Sequence, residues 1–250
     1  MLWITFLLGG GPVEMIFAFI AAGVGNLIRM KLIKHHYTLF LNIAVSISAA
    51  CLTYAVCLHM AELLLHVSAV HEAGYICSML FIIPGFPFIT SGIDLAKLDL
   101  RSGLERLTYS IIIVLGATVF AWIMALLLKL QPQDFVALHL GSMMHLVLRL
   151  IASFCGVFGF SIMFNSSVCI AATAACIGAV ANTLRLELVD YAGMPSAAAA
   201  FIGALTAGLL ASIIKRNHGY PRISLTVPSI VIMVPGLYLY RAIYNLELCH

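Results

Sequence analysis

Two stretches of the chain carry the same potential chemistry. Ser78-Met-Leu-Phe-Ile-Ile-Pro84-Gly85 leads to Asp94, and Ser229-Ile-Val-Ile-Met-Val-Pro235-Gly236 leads to Asn245. Each is an apolar run broken at its centre by Pro-Gly, with a carboxylate or carboxamide ten residues after the proline. Proline removes a backbone donor and frees the carbonyl one turn earlier. In lipid, such freed groups survive only where protein, water or a ligand satisfies them. Half-helix ends present N–H groups to an anion and C=O groups to a cation, and broken spans paired in two halves of a chain point to a solute site. Pro84, Gly85, Pro235 and Gly236 are therefore the central substrate-binding candidates. Thr90 and Ser91 follow the first break as hydroxyl contacts, and Asp94 and Asn245 occupy matching positions.

Three ionisable residues stand out as proton-coupling candidates. Asp94 ends an apolar run, where a carboxylate can pair with an ammonium group or carry a proton. Glu14 opens a helix behind Gly9-Gly10-Gly11-Pro12, where an acid also complements the helix dipole. Arg149 lies inside a long apolar helix and is costly there unless paired or wet. Asn26 and Asn182, each three residues before an arginine, suit helix–helix hydrogen bonds, and Arg29 and Arg185 suit snorkelling to the interface.

His59, Glu62 and His66 share a helix face, with His71 and Glu72 beyond, but the second half has no counterpart. Solvated residues at a helix end explain them, so no metal is expected. Of the seven cysteines, six lie in apolar runs as small hydrophobes. No His-Glu-x-x-His, Gly-x-Ser-x-Gly or phosphate loop is present, and neither an enzyme activity nor a cofactor is expected.

The elements that hold these residues follow from composition. The chain is 63% hydrophobic and 9% charged, against about 25% charged in soluble domains. Charge-free windows fall at 37–61, 73–93, 107–128, 150–184, 191–214 and 223–240, with a further apolar stretch at 13–28. About 20 apolar residues span a bilayer core, so 150–184 holds two spans folded at Asn165-Ser166-Ser167. The chain reads as an all-α polytopic membrane protein with eight full spans and a partial one at Leu2–Leu8. Continuous runs exclude the alternating segments of a β-barrel, and a net charge of +3 is too small and too dispersed for nucleic acid.

Basic residues sort into alternate loops: Arg29, Lys31 and Lys34; Lys97, Arg101 and Arg106; Lys215, Arg216 and Arg222. The positive-inside rule places these loops and the N-terminus in the cytoplasm. A shift of 156 residues superposes Ala18, Val24, Asn26, Arg29 and Leu32 on Ala174, Val180, Asn182, Arg185 and Leu188. A shift of 151 superposes Ser78, Pro84, Gly85 and Leu95 on Ser229, Pro235, Gly236 and Leu246. The chain therefore reads as two inverted five-helix repeats, residues 1–130 and 136–250, each with a Pro-Gly-broken helix. The first copy lacks a full opening helix and the second lacks a closing one, so the design reads as incomplete at both ends.

Pro84-Gly85-Phe86-Pro87, Thr90-Ser91-Gly92-Ile93-Asp94-Leu95 and Ser102-Gly103-Leu104-Glu105-Arg106 resemble the first membrane half of the threonine/serine exporter family. Phe158-Gly159-Phe160 to Phe164-Asn165, Val227-Pro228 and Val234-Pro235-Gly236-Leu237 to Tyr240-Arg241-Ala242 are similar to its second half. The resemblance implies export of L-threonine and L-serine across the cell membrane, driven by the proton motive force. It also implies partners: the lipid bilayer, a small amino-acid substrate, protons, and a second membrane subunit or a second copy of the chain. Fused members carry a soluble hydrolase-like domain ahead of the first span, which this sequence does not contain. Alternatives are a dicarboxylate exporter, a partial subunit that needs a partner chain, and a divalent metal transporter.

Overall fold

The computed structural model describes residues 2–7, 11–65, 73–128, 142–218 and 220–233, and every regular element among them is helical. Contacts divide the chain into two compact units. The first contains α1 (Leu2–Leu7), α2 (Pro12–Lys34), α3 (Leu39–Leu65), α4 (Ala73–Met79), α5 (Gly85–Ala96) and α6 (Leu100–Leu128). The second contains α7 (Ser142–Met163), α8 (Val168–Asp190), α9 (Ser196–His218) and α10 (Arg222–Val231).

Local sequence sets the boundaries. Pro12 occupies the first turn of α2, where its missing N–H costs nothing, and Glu14 reaches back to accept the Gly11 N–H at 2.7 Å. Lys31 and Lys34 in the last turn complement the dipole. In the second unit, Asn165 takes a left-handed φ of 58° in the tight turn between α7 and α8, a conformation asparagine tolerates better than most residues.

The packing is inside-out relative to a soluble protein. Along α9, Ala199, Gly203, Ala207 and Ala211 form a buried ridge at four-residue spacing, whereas Phe201, Leu205, Leu209 and Ile213 are exposed. Helix α2 likewise buries Ala18, Ala21, Ala22 and Gly25 and exposes Ile16, Phe19, Ile20 and Leu27. Small residues let backbones approach closely, and large apolar ones face lipid at no cost. Among the described residues, helices α2, α3, α6, α7, α8 and α9 are long and apolar enough to cross a bilayer, and the bent pair α4–α5 makes a seventh if its two arms form one span. Of the eighth expected span, the described residues hold the ten-residue α10. The protein is a polytopic α-helical membrane protein.

Two boundaries differ from expectation. The basic segment 97–106 is not a loop, since α6 starts at Leu100 and only Lys97–Asp99 turn the corner. Arg29 and Lys31 likewise belong to α2, which continues to Lys34. Charged residues at a helix end extend it past the apolar core rather than stopping it, so charge marks the interface and not the end of the helix.

The two units share a packing scheme. In the first, α2 packs against both α3 and α4, and α3 against α4. In the second, α8 packs against α9 and α10, and α9 against α10. Helix α6 lies along α3 and α5, and α7 lies along α8.

Candidate functional site

The first break is built as its residues dictate. Helix α4 tightens into a 3-10 turn at Leu80–Ile82, and Ile83 is extended (φ −62°, ψ 122°) because the following proline forbids the helical conformation. Pro84 caps α5, and the two arms meet at a bend of 58°. Pro87 falls in the first turn of α5, where no intrahelical donor is lost.

The neighbouring helices satisfy what the break exposes. Arg29 Nη1 donates to the Phe81 carbonyl at 3.3 Å, from α2 to the 3-10 turn. Gly25, one turn earlier, makes room, since a Cβ there would sit 2.7 Å from Phe81 Cζ. Arg29 is thus not merely snorkelling to an interface; it holds the break. The Gly85 N–H closes onto the Ile83 carbonyl at 2.9 Å, and Phe88 N–H onto Pro84 at 3.2 Å. A cavity of about 10 Å³, roughly one water, opens between Ile76, Met79, Leu80 and Ile83 on one side and Val114, Ala117 and Thr118 on the other.

The hydroxyls of α5 are buried, and their protons are committed. Thr90 Oγ1 donates to the Phe86 carbonyl at 3.0 Å and to Pro87 at 3.2 Å, and Ser91 Oγ donates to Phe88 at 2.7 Å. Their remaining lone pairs can accept, which suits an ammonium or hydroxyl donor.

Asp94 stands apart from the break. Nine residues separate it from Gly85, or about 14 Å along α5. Its Oδ2 accepts from Arg106 Nη1 at 3.0 Å and from Ser102 Oγ at 3.2 Å. Gly103 lets α6 approach, because a Cβ there would lie 2.7 Å from Leu95 Cγ. Ser102-Gly103-x-x-Arg106 is therefore the other half of a corner clamp around Asp94. One small solute cannot touch both the break and this carboxylate in the geometry observed.

Glu14 is buried at 5% exposure beside the first arm of the break. A Cβ on Gly74 of α4 would be 3.0 Å from Glu14 Cβ and would also meet Tyr54 of α3. Tyr54 packs edge-on against Tyr75 at 6.4 Å, and Tyr75 donates to the Ala121 carbonyl of α6 at 2.7 Å. The Glu14 side chain thus caps α2 with its carboxylate and abuts α4 with its Cβ.

Pro235, Gly236 and Asn245 lie outside the described residues. On α10, six residues before Pro235, the Ser229 hydroxyl bonds to the Leu225 carbonyl at 2.7 Å and the Ala174 carbonyl at 2.9 Å. Gly178 allows this contact, since a Cβ there would lie 3.2 Å from Ser229 Cα and 2.6 Å from Val157.

Arg149 is paired. Its Nη1 meets Glu187 Oε1 at 3.0 Å, and its Nη2 meets Asp190 Oδ2. One turn along α7, Ser153 Oγ accepts from Asn182 Nδ2 at 2.9 Å. Sequence reasoning singled out Arg149 and Asn182 but not Glu187 or Asp190. The signal was present: folding 150–184 at Asn165–Ser167 brings the start of α7 beside the end of α8, where Glu187 and Asp190 are one turn apart. No group of three histidine, cysteine or acidic side chains able to hold a metal occurs among the described residues. His66, His71 and Glu72, and the side chain of Glu62, lie outside them.

A family model for a threonine/serine exporter matches residues 2–129, and a second, for the threonine/serine exporter ThrE, matches residues 149–248. No curated protein and no solved structure matches the chain. With both membrane halves matched in order, and with a multi-pass helical fold, the chain belongs to the threonine/serine exporter family.

Proposed function

We propose that the protein is a secondary transporter that exports L-threonine and L-serine across the cell membrane at the expense of the proton motive force. The observation that carries this reading is the match of both halves to exporter models, together with a proline-broken span in the first. The N-terminus lies in the cytoplasm, residues 1–130 and 136–250 are inverted repeats, and substrate binds at Pro84-Gly85 and Pro235-Gly236. Buried hydroxyls of Thr90 and Ser91, with their acceptor lone pairs, favour a donor-bearing zwitterion. Asn245 contributes a carboxamide near the second break. Asp94 and Glu14 take up and release the coupled proton, with Arg149 tuning the second half.

A dicarboxylate substrate is disfavoured by electrostatics. The Arg149 guanidinium is already engaged by two carboxylates, so it offers no fixed positive charge for a dianion.

The test is efflux of labelled L-threonine from proteoliposomes containing the full chain, with an imposed proton gradient. Expected are gradient-dependent efflux, collapse with a protonophore, and competition by L-serine. Efflux unchanged by the protonophore would remove the coupling, and preference for succinate over threonine would overturn the substrate.

A further inference from the structure

The seam between α7 and α8 holds a polar system that the broken-helix reading does not use. Arg149, 8% exposed, faces Glu187 and Asp190, so among these three side chains one guanidinium is set against two carboxylates, one more negative than positive charge. One turn deeper in the same seam is Asn182, fully buried. Its Nδ2 is used by Ser153, but its Oδ1 has no hydrogen-bond partner, and neither does the buried hydroxyl of Thr183 beside it. A buried carbonyl oxygen left unpaired costs about 1–3 kcal/mol, and an excess negative charge in a membrane helix pair is also costly. Both defects have the same remedy, a cationic group with several N–H donors.

We propose that this seam is a binding subsite for a primary ammonium group, with Glu187 and Asp190 supplying the charge and Asn182 Oδ1 an oriented acceptor. The subsite deepens the exporter reading and rests on it for the identity of the ligand, the ammonium end of a small amino acid. Asp190, 45% exposed at the end of α8, is the point of entry, and Asn182 is the deepest contact. Arg149 holds the two carboxylates apart until the ammonium displaces one of its pairings.

Calorimetric titration of the purified full chain in detergent tests this, with L-threonine, L-threonine methyl ester and N-acetyl-L-threonine as probes. The methyl ester keeps the ammonium and is expected to bind; the N-acetyl compound lacks it and is expected to bind at least tenfold more weakly. Glu187→Gln keeps the hydrogen bond to Arg149 but removes the excess charge, and should weaken threonine and its ester at least tenfold. Asn182→Ser should weaken both several-fold, and Asp190→Asn serves if Asn182→Ser fails to fold. Equal binding of the N-acetyl compound, wild-type affinity in Glu187→Gln, or no binding of any ammonium compound would overturn the subsite. Binding of other amino-acid esters in preference to threonine would leave the subsite standing and overturn the proposed substrate. Efflux that persists in Glu187→Gln with unchanged KM would overturn the subsite and leave the exporter reading intact.

Discussion

Arg29 of α2 and Phe81 of the 3-10 turn are joined by a side-chain bond from Nη1 to the Phe81 carbonyl at 3.3 Å, across 52 residues of sequence. The arginine supplies the donor that the interrupted helix cannot. Its removal leaves a carbonyl unpaired in an apolar setting, at about 1–3 kcal/mol. Arg29→Ala is therefore expected to lower stability by that amount in a detergent unfolding titration, and Arg29→Lys, which keeps one donor, to recover part of it. Equal stability of the alanine and lysine variants at the wild-type level would refute this role.

Gly25 and Gly103 allow close approach in the first unit, to Phe81 and Leu95 respectively. Overpacking of this kind costs about 1–3 kcal/mol. Gly103→Val is expected to loosen the corner between α5 and α6, detected as increased protease cleavage near Lys97. Gly159, where an added Cβ meets nothing within 4 Å, is the control position, and Gly159→Ala should be near neutral or slightly stabilising.

Arg149 offers a test of mutual compensation. Arg149→Met leaves Glu187 and Asp190 facing each other without a cation. Breaking a buried pair costs about 3–5 kcal/mol, and about 2–3 is expected here because Asp190 is half-exposed. The triple variant Arg149→Met, Glu187→Gln, Asp190→Asn should be more stable than the single one, read as a higher Tm in the same detergent. A triple variant less stable than Arg149→Met would show that the three side chains contribute by packing alone.

Asp94→Asn separates a structural from a transporting carboxylate. The Arg106 partner is half-exposed, so the ion pair is worth only about 0–1 kcal/mol, and folding should survive. Cells expressing the full chain are expected to resist toxic threonine-containing dipeptides, and Asp94→Asn to abolish that resistance without lowering protein abundance. Ser102→Ala, which removes one hydrogen bond to the same oxygen, should reduce it only slightly. Resistance undiminished in Asp94→Asn would take the residue out of the mechanism.

Much of this arrangement was legible in the sequence because membrane helices announce themselves by length and composition. The Pro84-Gly85 break and the turn at Asn165 follow from local rules. Partnerships were harder to read. Asp94 looked like a lone carboxylate because Arg106 lies on the next helix, and the tight corner at Lys97–Asp99 that joins them is hidden inside a run of charge. Arg29 looked like an interfacial cation because nothing in its own helix names Phe81. Glu187 and Asp190 gain their meaning only where the α7–α8 hairpin sets them against Arg149. In each case the spacing within a helix was visible, and the contact between helices was not.

The buried ridge of α9 has a last consequence. Lipid tails are as apolar as leucine, so no transfer free energy tells this helix which way to turn. Bulk alone decides: Ala199, Gly203, Ala207 and Ala211 admit a neighbour at close range, and Phe201, Leu205, Leu209 and Ile213 cannot. The rotational setting of α9 is therefore a steric code with no polarity in it. It tolerates any exchange among large residues on its outer side, yet is rewritten by one added side chain within.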